Sequence, residues 1–327
     1  MIRFGLCCIF RKEPIKFRKT TAKFLSQSDR NKQLHYISEI CDHNAKSLLD
    51  ALIFCNRHGI KDFRVNSQIL PLKTHLDVGY QIENLPHYRK IIDTFQECGA
   101  FSRKNDLRTT FHPDQFILLS STSSKVTRSS LSELEYQAQV AEWINADVIN
   151  IHGGGAYGNK TKALKRLVSQ IKKLPDSVRT RLTWENDDRV YTPKDLLPVC
   201  VETDTPLVYD VHHHRCLPDR QSVEKTTELA IQTWNREPVF HLSSPLNGWE
   251  GKTTNKHHDY INLGDFPDCW LNLNITVEVE AKAKELAVLK LKKQIEKLRW
   301  FLSELKDLSM LNRLARASVR DVSWHNR

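Results

Sequence analysis

Six short apolar runs in the last two-thirds of the chain each close on a residue able to bind a cation. RTTFHP closes on His112, VINIHGGG on His152, RLTWEND on Glu185, PLVYDVHHH on Asp210, PVFHLSSP on His241 and LNITVEVEAK on Glu280. The runs are rich in β-branched and aromatic residues, and most are separated by a stretch of helical periodicity, the pattern of a βα repeat. Parallel strands joined by helices point their C-terminal ends to one side, and a closed barrel places its active site on that rim. The expected fold is therefore a (β/α)8 TIM barrel in which residues far apart in sequence become neighbours.

The remaining elements complete the count. IRFGLCCIF and DFRVNS read as the first two strands, with a basic loop from Arg11 to Arg30 and a helix from Gln33 to His58 between them; Gly59 supplies the helix stop. The connection QILPLKTHLDVGYQ, which carries His75, precedes a helix from about Leu85 to Cys98. After RTTFHP a Ser/Thr-rich loop leads to a helix near Ser130 to Asn145, with Ser132 and Glu135 in capping-box spacing. Helices at Lys160–Lys173, Pro193–Val201 and Val223–Trp234 follow in turn, and a lysine-rich helical tail spans Lys282 to Arg316.

A barrel of ~250 residues plus extensions accommodates the 327 residues without a second domain. Residues 1–287 are assigned to the barrel and 288–327 to a C-terminal helical extension. The 49 Lys and Arg exceed the 39 Asp and Glu, for a net charge of +10, although the rim residues are acidic and histidine-rich. The positive excess must lie elsewhere on the surface; spread evenly it would speak only to solubility, whereas a basic face around an acidic metal site suits a polyanion such as nucleic acid. Eight cysteines with no C-x-x-C pair point to free thiols rather than a zinc ribbon. No apolar run approaches the ~20 residues that span a bilayer, and the expectation is a cytoplasmic monomer.

Imidazole and carboxylate together suit Mn²⁺ or Zn²⁺, with Mg²⁺ a further choice. Six ligands exceed what one tetrahedral ion takes, so a cluster bridged by carboxylate is indicated, and metals ~3.5–4 Å apart stabilise both the attacking and the leaving oxygen in phosphodiester cleavage. Singly, a strand-end histidine is more often hydrogen-bonded than ligating, and a strand-end carboxylate more often caps the next helix. Six at equivalent positions make a metal centre the better reading. In the HHH triplet, read as the continuation of a strand, alternation lets only part of the run face the site. Gln115 and Phe116 follow His112, where an amide can meet a base edge and a ring can stack. The glycines of HGGGAYGNK allow close backbone approach, with Lys160 or Lys162 available to a phosphate.

At IRFG, FRVNSQILPLKTH, FHPDQFILLSS, NIHGGG, ENDD, YDVHHH, HLSSP, HHDYI and EAKAKE, in that order from Ile2 to about Ala287, the chain resembles the ultraviolet damage endonuclease family. That family is related to endonuclease IV in the xylose-isomerase-like barrel group. The resemblance implies incision of damaged double-stranded DNA immediately 5′ to a cyclobutane dimer or (6-4) photoproduct, with a divalent metal cluster, usually manganese. It assigns His112, His152 and a bridging Glu185 to one metal, Asp210, His241 and Glu280 to a second, and His213 and His257 to a third. His75 would sit near the cleaved phosphate, so that His75, Glu185 and Asp210 form the catalytic set. Gln115 and Phe116 would probe the space beside the lesion.

Three positions depart from the family pattern: Leu6 stands where a tyrosine is usual, Phe116 likewise, and Val239 stands where a metal-site lysine precedes the histidine of HLSSP. The rival readings are an abasic-site endonuclease on the same barrel, a sugar isomerase or epimerase, and a DNA-binding protein without activity.

Overall fold

The computed structural model describes residues 1–322, and side chains as far as Glu304. Strands β1 (Arg3–Cys7), β2 (Asp62–Val65), β3 (Arg108–Phe111), β4 (Val148–His152), β5 (Leu182–Glu185), β6 (Leu207–Asp210), β7 (Val239–Leu242) and β8 (Thr276–Val279) pair in parallel and in chain order. β8 pairs back onto β1 and closes the barrel. Around it run α1 (Ala22–Leu25), α2 (Arg30–Arg57), α3 (Tyr88–Lys104), α4 (Ser124–Ile144), α5 (Lys160–Ile171), α6 (Asp176–Arg179), α7 (Pro193–Thr203), α8 (Val211–Cys216), α9 (Val223–Gln232) and α10 (Glu285–Val322).

Local chemistry sets the boundaries. Asp29 caps α2 by accepting from the Lys32 amide, and Gly59, at φ +65°, lets the chain turn out of it. Thr192 and Asp195 form a reciprocal capping box on α7, with Pro193 in its first turn. α4 starts six residues earlier than the sequence suggested: the Ser123 hydroxyl accepts from the Val126 amide, which places Ser132 and Glu135 inside the helix rather than at its start. The first strand ends at Cys7, where Cys8 turns away at φ +67°. α10 crosses residue 287 without a break, and Ala287, Val288, Leu291 and Ile295 are buried in the core.

A larger correction concerns the triple histidine. It does not extend β6 but forms the short helix α8, with Asp210 as its N-cap. A 3.6-residue period, not alternation, decides which of these imidazoles faces the rim.

Outward-facing strand residues such as Phe63, Trp184, Tyr209 and Phe240 pack against the helices as the main core. The inner wall is different. By register and alternation it carries Gly5 and Cys7, Asp62 and Arg64, Thr110, Asn150, Thr183, and Glu278. A Cβ on Gly5 would collide with Asp62 Oδ2, so glycine is what admits this polar layer. Beneath it Val148, Val208 and Val239 form a small apolar plug with Trp234 packed against it. Leu6 lies in register with Phe63 and Val279, in the main core. Among the described residues, no helix is long and apolar enough to cross a membrane.

Candidate metal centre

The rim assembles from single residues at successive strand ends. His152, Glu185 and Asp210 are the last residues of β4, β5 and β6, His241 is the third of β7's four, and His112 and Glu280 directly follow β3 and β8. Glu185 lies in the middle, 1% exposed. Its Oε2 is 2.8 Å from His112 Nε2, 3.3 Å from His241 Nδ1, and accepts from Asn150 Nδ2 at 2.6 Å. Its Oε1 is 3.2 Å from His213 Nδ1. Thr183 donates to Asn150 Oδ1 and so fixes the amide that holds the carboxylate.

Asp210 splits its work between cap and site. Oδ1 accepts from the His213 amide at 2.7 Å, while Oδ2 is 3.3 Å from His213 Nδ1. Asn186 clamps the turn by exchanging hydrogen bonds with the Asp210 backbone on both sides. Glu280 Oε1 accepts from Arg64 Nη1 at 2.5 Å and lies 3.5 Å from His241 Nδ1, and its Oε2 is 3.7 Å from His257 Nδ1.

Three triads have donor atoms within 4.8 Å of one another: His112–His152–Glu185, His112–His241–Glu280 and Glu185–Asp210–His213. They share His112 and Glu185, the geometry of linked rather than separate ion sites. Buried atoms left without a hydrogen-bond partner also converge here: His152 Nδ1, Glu185 Oε1, Asp210 Oδ2 and both ring nitrogens of His241. Buried polar atoms are normally satisfied. Oxygen and imidazole donors so grouped fit divalent cations.

The electrostatics are those of a compensated buried cluster. Burial alone would raise the Glu185 carboxyl, yet His241, His152 and His112 hold it well below the usual carboxylate range. Burial opposes protonation of His241 and His213, but the neighbouring carboxylates, chiefly Glu185 for His241 and Asp210 for His213, raise both imidazoles well above their ordinary value. His152 is lowered, by burial first of all. Burial would also raise Glu280, and Arg64 with His241 and His257 pulls it well down.

His75 stands apart from the triads. Its Nδ1 accepts from the Asp77 amide at 3.1 Å, and it lines a cavity of about 550 Å³ together with Phe116, Gln68 and Thr74. Gln115 and Phe116 form an exposed turn after His112, Phe116 being 70% exposed, with Asp114 accepting from its amide. Lys160 pairs with Asp195 at 2.8 Å and lies over Tyr191, and the glycine loop packs tightly, a Cβ on Gly153 meeting Tyr191 at 2.8 Å. Arg215 is tied to the Asp265 carbonyl and Trp249. Sequence reasoning left Arg64, Asn150, Asn186 and Glu278 unassigned. Asn150, two before His152 in VINIH, and Arg64 in FRVNS were findable by alternation from their strands.

Residues 2–312 match the family described as UV-endonuclease UvdE. The chain belongs to this family of endonucleases. Two curated relatives of this UvdE-family chain, each named UV DNA damage endonuclease, come from Bacillus velezensis and Bacillus cereus. The first is 35% identical over 275 residues, 80% of this chain and 82% of its own length. The second is 33% identical over 294 residues, 86% and 88%. The solved structure of SacUVDE superposes with TM-score 0.81 at 27% identity, over 91% of this chain and 99% of its own. Endonuclease IV from Thermus thermophilus, at 13% identity and TM-score 0.58, covers 92% of this chain and 99% of its own and shares the xylose-isomerase-like TIM barrel.

Proposed function

We propose that this UvdE-family endonuclease is a metal-dependent DNA repair enzyme acting as a monomer on damaged double-stranded DNA. It incises the phosphodiester immediately 5′ to a cyclobutane dimer or (6-4) photoproduct and leaves 3′-hydroxyl and 5′-phosphate ends. The observation that carries this reading is the convergence of three His/carboxylate triads on shared His112 and Glu185, in a chain whose relatives are named UV DNA damage endonucleases.

His112, His152, Glu185, Asp210, His213, His241, His257 and Glu280 hold the divalent metals, with Mn²⁺ the first choice and Zn²⁺ or Mg²⁺ as alternatives. When bound, such ions supply Lewis acidity for attack of water on the phosphodiester and neutralise charge on the leaving 3′ oxygen. The chain's own residues do the rest. Glu185, fixed by Asn150, bridges two triads, and Asp210 is kept in place by Asn186 and its helix cap. His75 keeps one ring nitrogen occupied by backbone amides and offers the other to the scissile phosphate. Gln115 and Phe116, exposed on their turn, enter the duplex beside the lesion, the ring by stacking. Exposed Arg11, Lys19, Lys125, Arg128 and Lys252 follow strand ends and reach the phosphates on either side.

The test uses purified protein with Mn²⁺ and end-labelled duplexes carrying one cyclobutane dimer, one abasic site or no lesion. A nick directly 5′ to the dimer is the expected result. Cleavage confined to the abasic site, or none with Mn²⁺, Mg²⁺ or Zn²⁺, overturns it.

A further inference from the structure

On the inner wall, directly across from His241 in the β7–β8 register, stands Glu278, 1% exposed. Its Oε2 lies 2.9 Å from His241 Nε2 and accepts from Arg64 Nη1 at 3.1 Å, and its Oε1 accepts from the Thr110 hydroxyl. Every polar partner of this carboxylate is a donor. It is absent from the three metal-competent triads, and both of its oxygens have protein donors as partners. The other nitrogen of His241, Nδ1, sits 3.3 Å from Glu185 Oε2 and 3.5 Å from Glu280 Oε1, among the oxygens of the candidate centre. The two ring nitrogens therefore face different partners, one a fixed anion below the rim and the other the ligand cluster above it.

Resting on the metal reading above, we propose that Glu278 is the positioning residue of His241: its carboxylate takes the Nε2–H and leaves Nδ1 as the nitrogen that ligates. A carboxylate behind a ligating histidine selects the tautomer, fixes the ring and raises the basicity of the ligating nitrogen. Nε2 and Oε2 stand at hydrogen-bonding distance, but the ring is not yet aimed along that line and neither of its nitrogens makes a hydrogen bond. Charge and packing hold the ring here, and a rotation of the imidazole that brings Nδ1 onto a cation would be the one that aims Nε2–H at Oε2. Thr110 and Arg64 in turn keep the carboxylate from swinging toward the rim. Glu278 also keeps Arg64 paired independently of Glu280, a candidate ligand that the same guanidinium contacts.

The experiment reads the nitrogen directly. Long-range ¹H–¹⁵N correlation on Zn²⁺-loaded protein labelled at histidine, with His241 assigned by loss of its signals in His241→Gln, should show Nδ1 shifted by ligation and Nε2 carrying a slowly exchanging proton. In parallel, Co²⁺ titration of the metal-free protein should show one equivalent bound about 10–100-fold more weakly in Glu278→Gln, with Glu278→Asp recovering part of the loss. Ligation through Nε2, or unchanged affinity in Glu278→Gln, overturns the assignment of Glu278 while leaving the metal centre intact. A parent protein that takes up no cation overturns the metal reading and this assignment together. The measurement on the parent decides the matter even if no Glu278 variant folds.

Discussion

Replacing Glu185 by glutamine is the sharpest single perturbation of the proposed chemistry, because the carboxylate belongs to two of the three triads. The amide is nearly isosteric and its oxygen can still accept from Asn150, so the barrel should fold; what is lost is one anionic ligand to each of two ions. Binding of structural Zn²⁺ is worth about 10–16 kcal/mol, spread over roughly four ligands, or about 3 kcal/mol each. At about 1.4 kcal/mol per decade this weakens each ion about 100-fold, and joint occupancy roughly 10⁴-fold. At a Mn²⁺ concentration that just saturates the parent, single-turnover nicking of a dimer-containing duplex should fall by about three orders of magnitude or more. Retention of that duplex in a gel shift should persist, because the exposed basic residues and Phe116 are untouched. Metal content after dialysis against Mn²⁺, together with the nicking rate, is the assay. Parent-level metal content with parent-level incision would refute the bridging role of Glu185.

Three further outcomes follow from named contacts. Burial, with Glu278 adding to it, raises the Asp62 carboxyl well above its ordinary 3.8, and neither oxygen has a partner. The folded state therefore holds this proton more tightly than the unfolded chain, so the stability it brings is present at low pH and lost as pH rises from about 4 toward the folded value. Asp62→Asn should gain on the parent in urea denaturation as pH is raised from 5 to 8, and a difference independent of pH would count against this. In the buried relay Tyr209 Oη–His214 Nδ1 at 2.8 Å and His214 Nε2–Asp219 at 2.9 Å, His214→Ala leaves Tyr209 unsatisfied and loosens α8. The expected loss is about 1–3 kcal/mol by urea midpoint, together with weaker metal uptake through His213; an unchanged midpoint would reject it. Phe116→Ala, at an exposed position, should leave stability within about 0.5 kcal/mol while weakening binding to dimer-containing duplex by about 1–3 kcal/mol, which unchanged binding would disprove.

The strand ends were legible because each run of β-branched and aromatic residues stops at a polar residue, and closure of the barrel turns that stop into a shared rim. That is how His112, His152, Glu185, Asp210, His241 and Glu280 group together from the sequence alone. Other features were hidden for physical reasons. DVHHHRC has no apolar periodicity, so nothing in it announced α8; the signal was Asp210 three residues before the His213 amide that it caps. The Ser/Thr-rich stretch after His112 reads as loop, although Ser123 starts a helix there. TVEVEAK and DFRV alternate apolar with charged residues, the pattern of a strand with one wet face, and nothing in them marks Glu278, Asp62 and Arg64 as interior. In a closed barrel both faces of a strand are interior, and the alternating charges become the wall of the site.

That wall explains how a chain with a basic surface can hold so much negative charge at its centre. Glu185, Asp210, Glu278 and Glu280 are buried or nearly so, and among the described residues Arg64 is the guanidinium in contact with this cluster. Imidazoles of His112, His213 and His241 contact its remaining carboxylates. A buried anion without a counter-charge costs several kcal/mol, so the balance beyond Arg64 must come from imidazole protons or from divalent cations. These two sources use the same ring nitrogens and therefore exclude one another. The apolar plug of Val148, Val208 and Val239 beneath the layer closes it off from the other end of the barrel, where Arg108 pairs with Asp147. With no charge at residue 239 to share the load, counter-charge for the carboxylates has to arrive from the rim, the side on which the exposed Phe116 turn also lies.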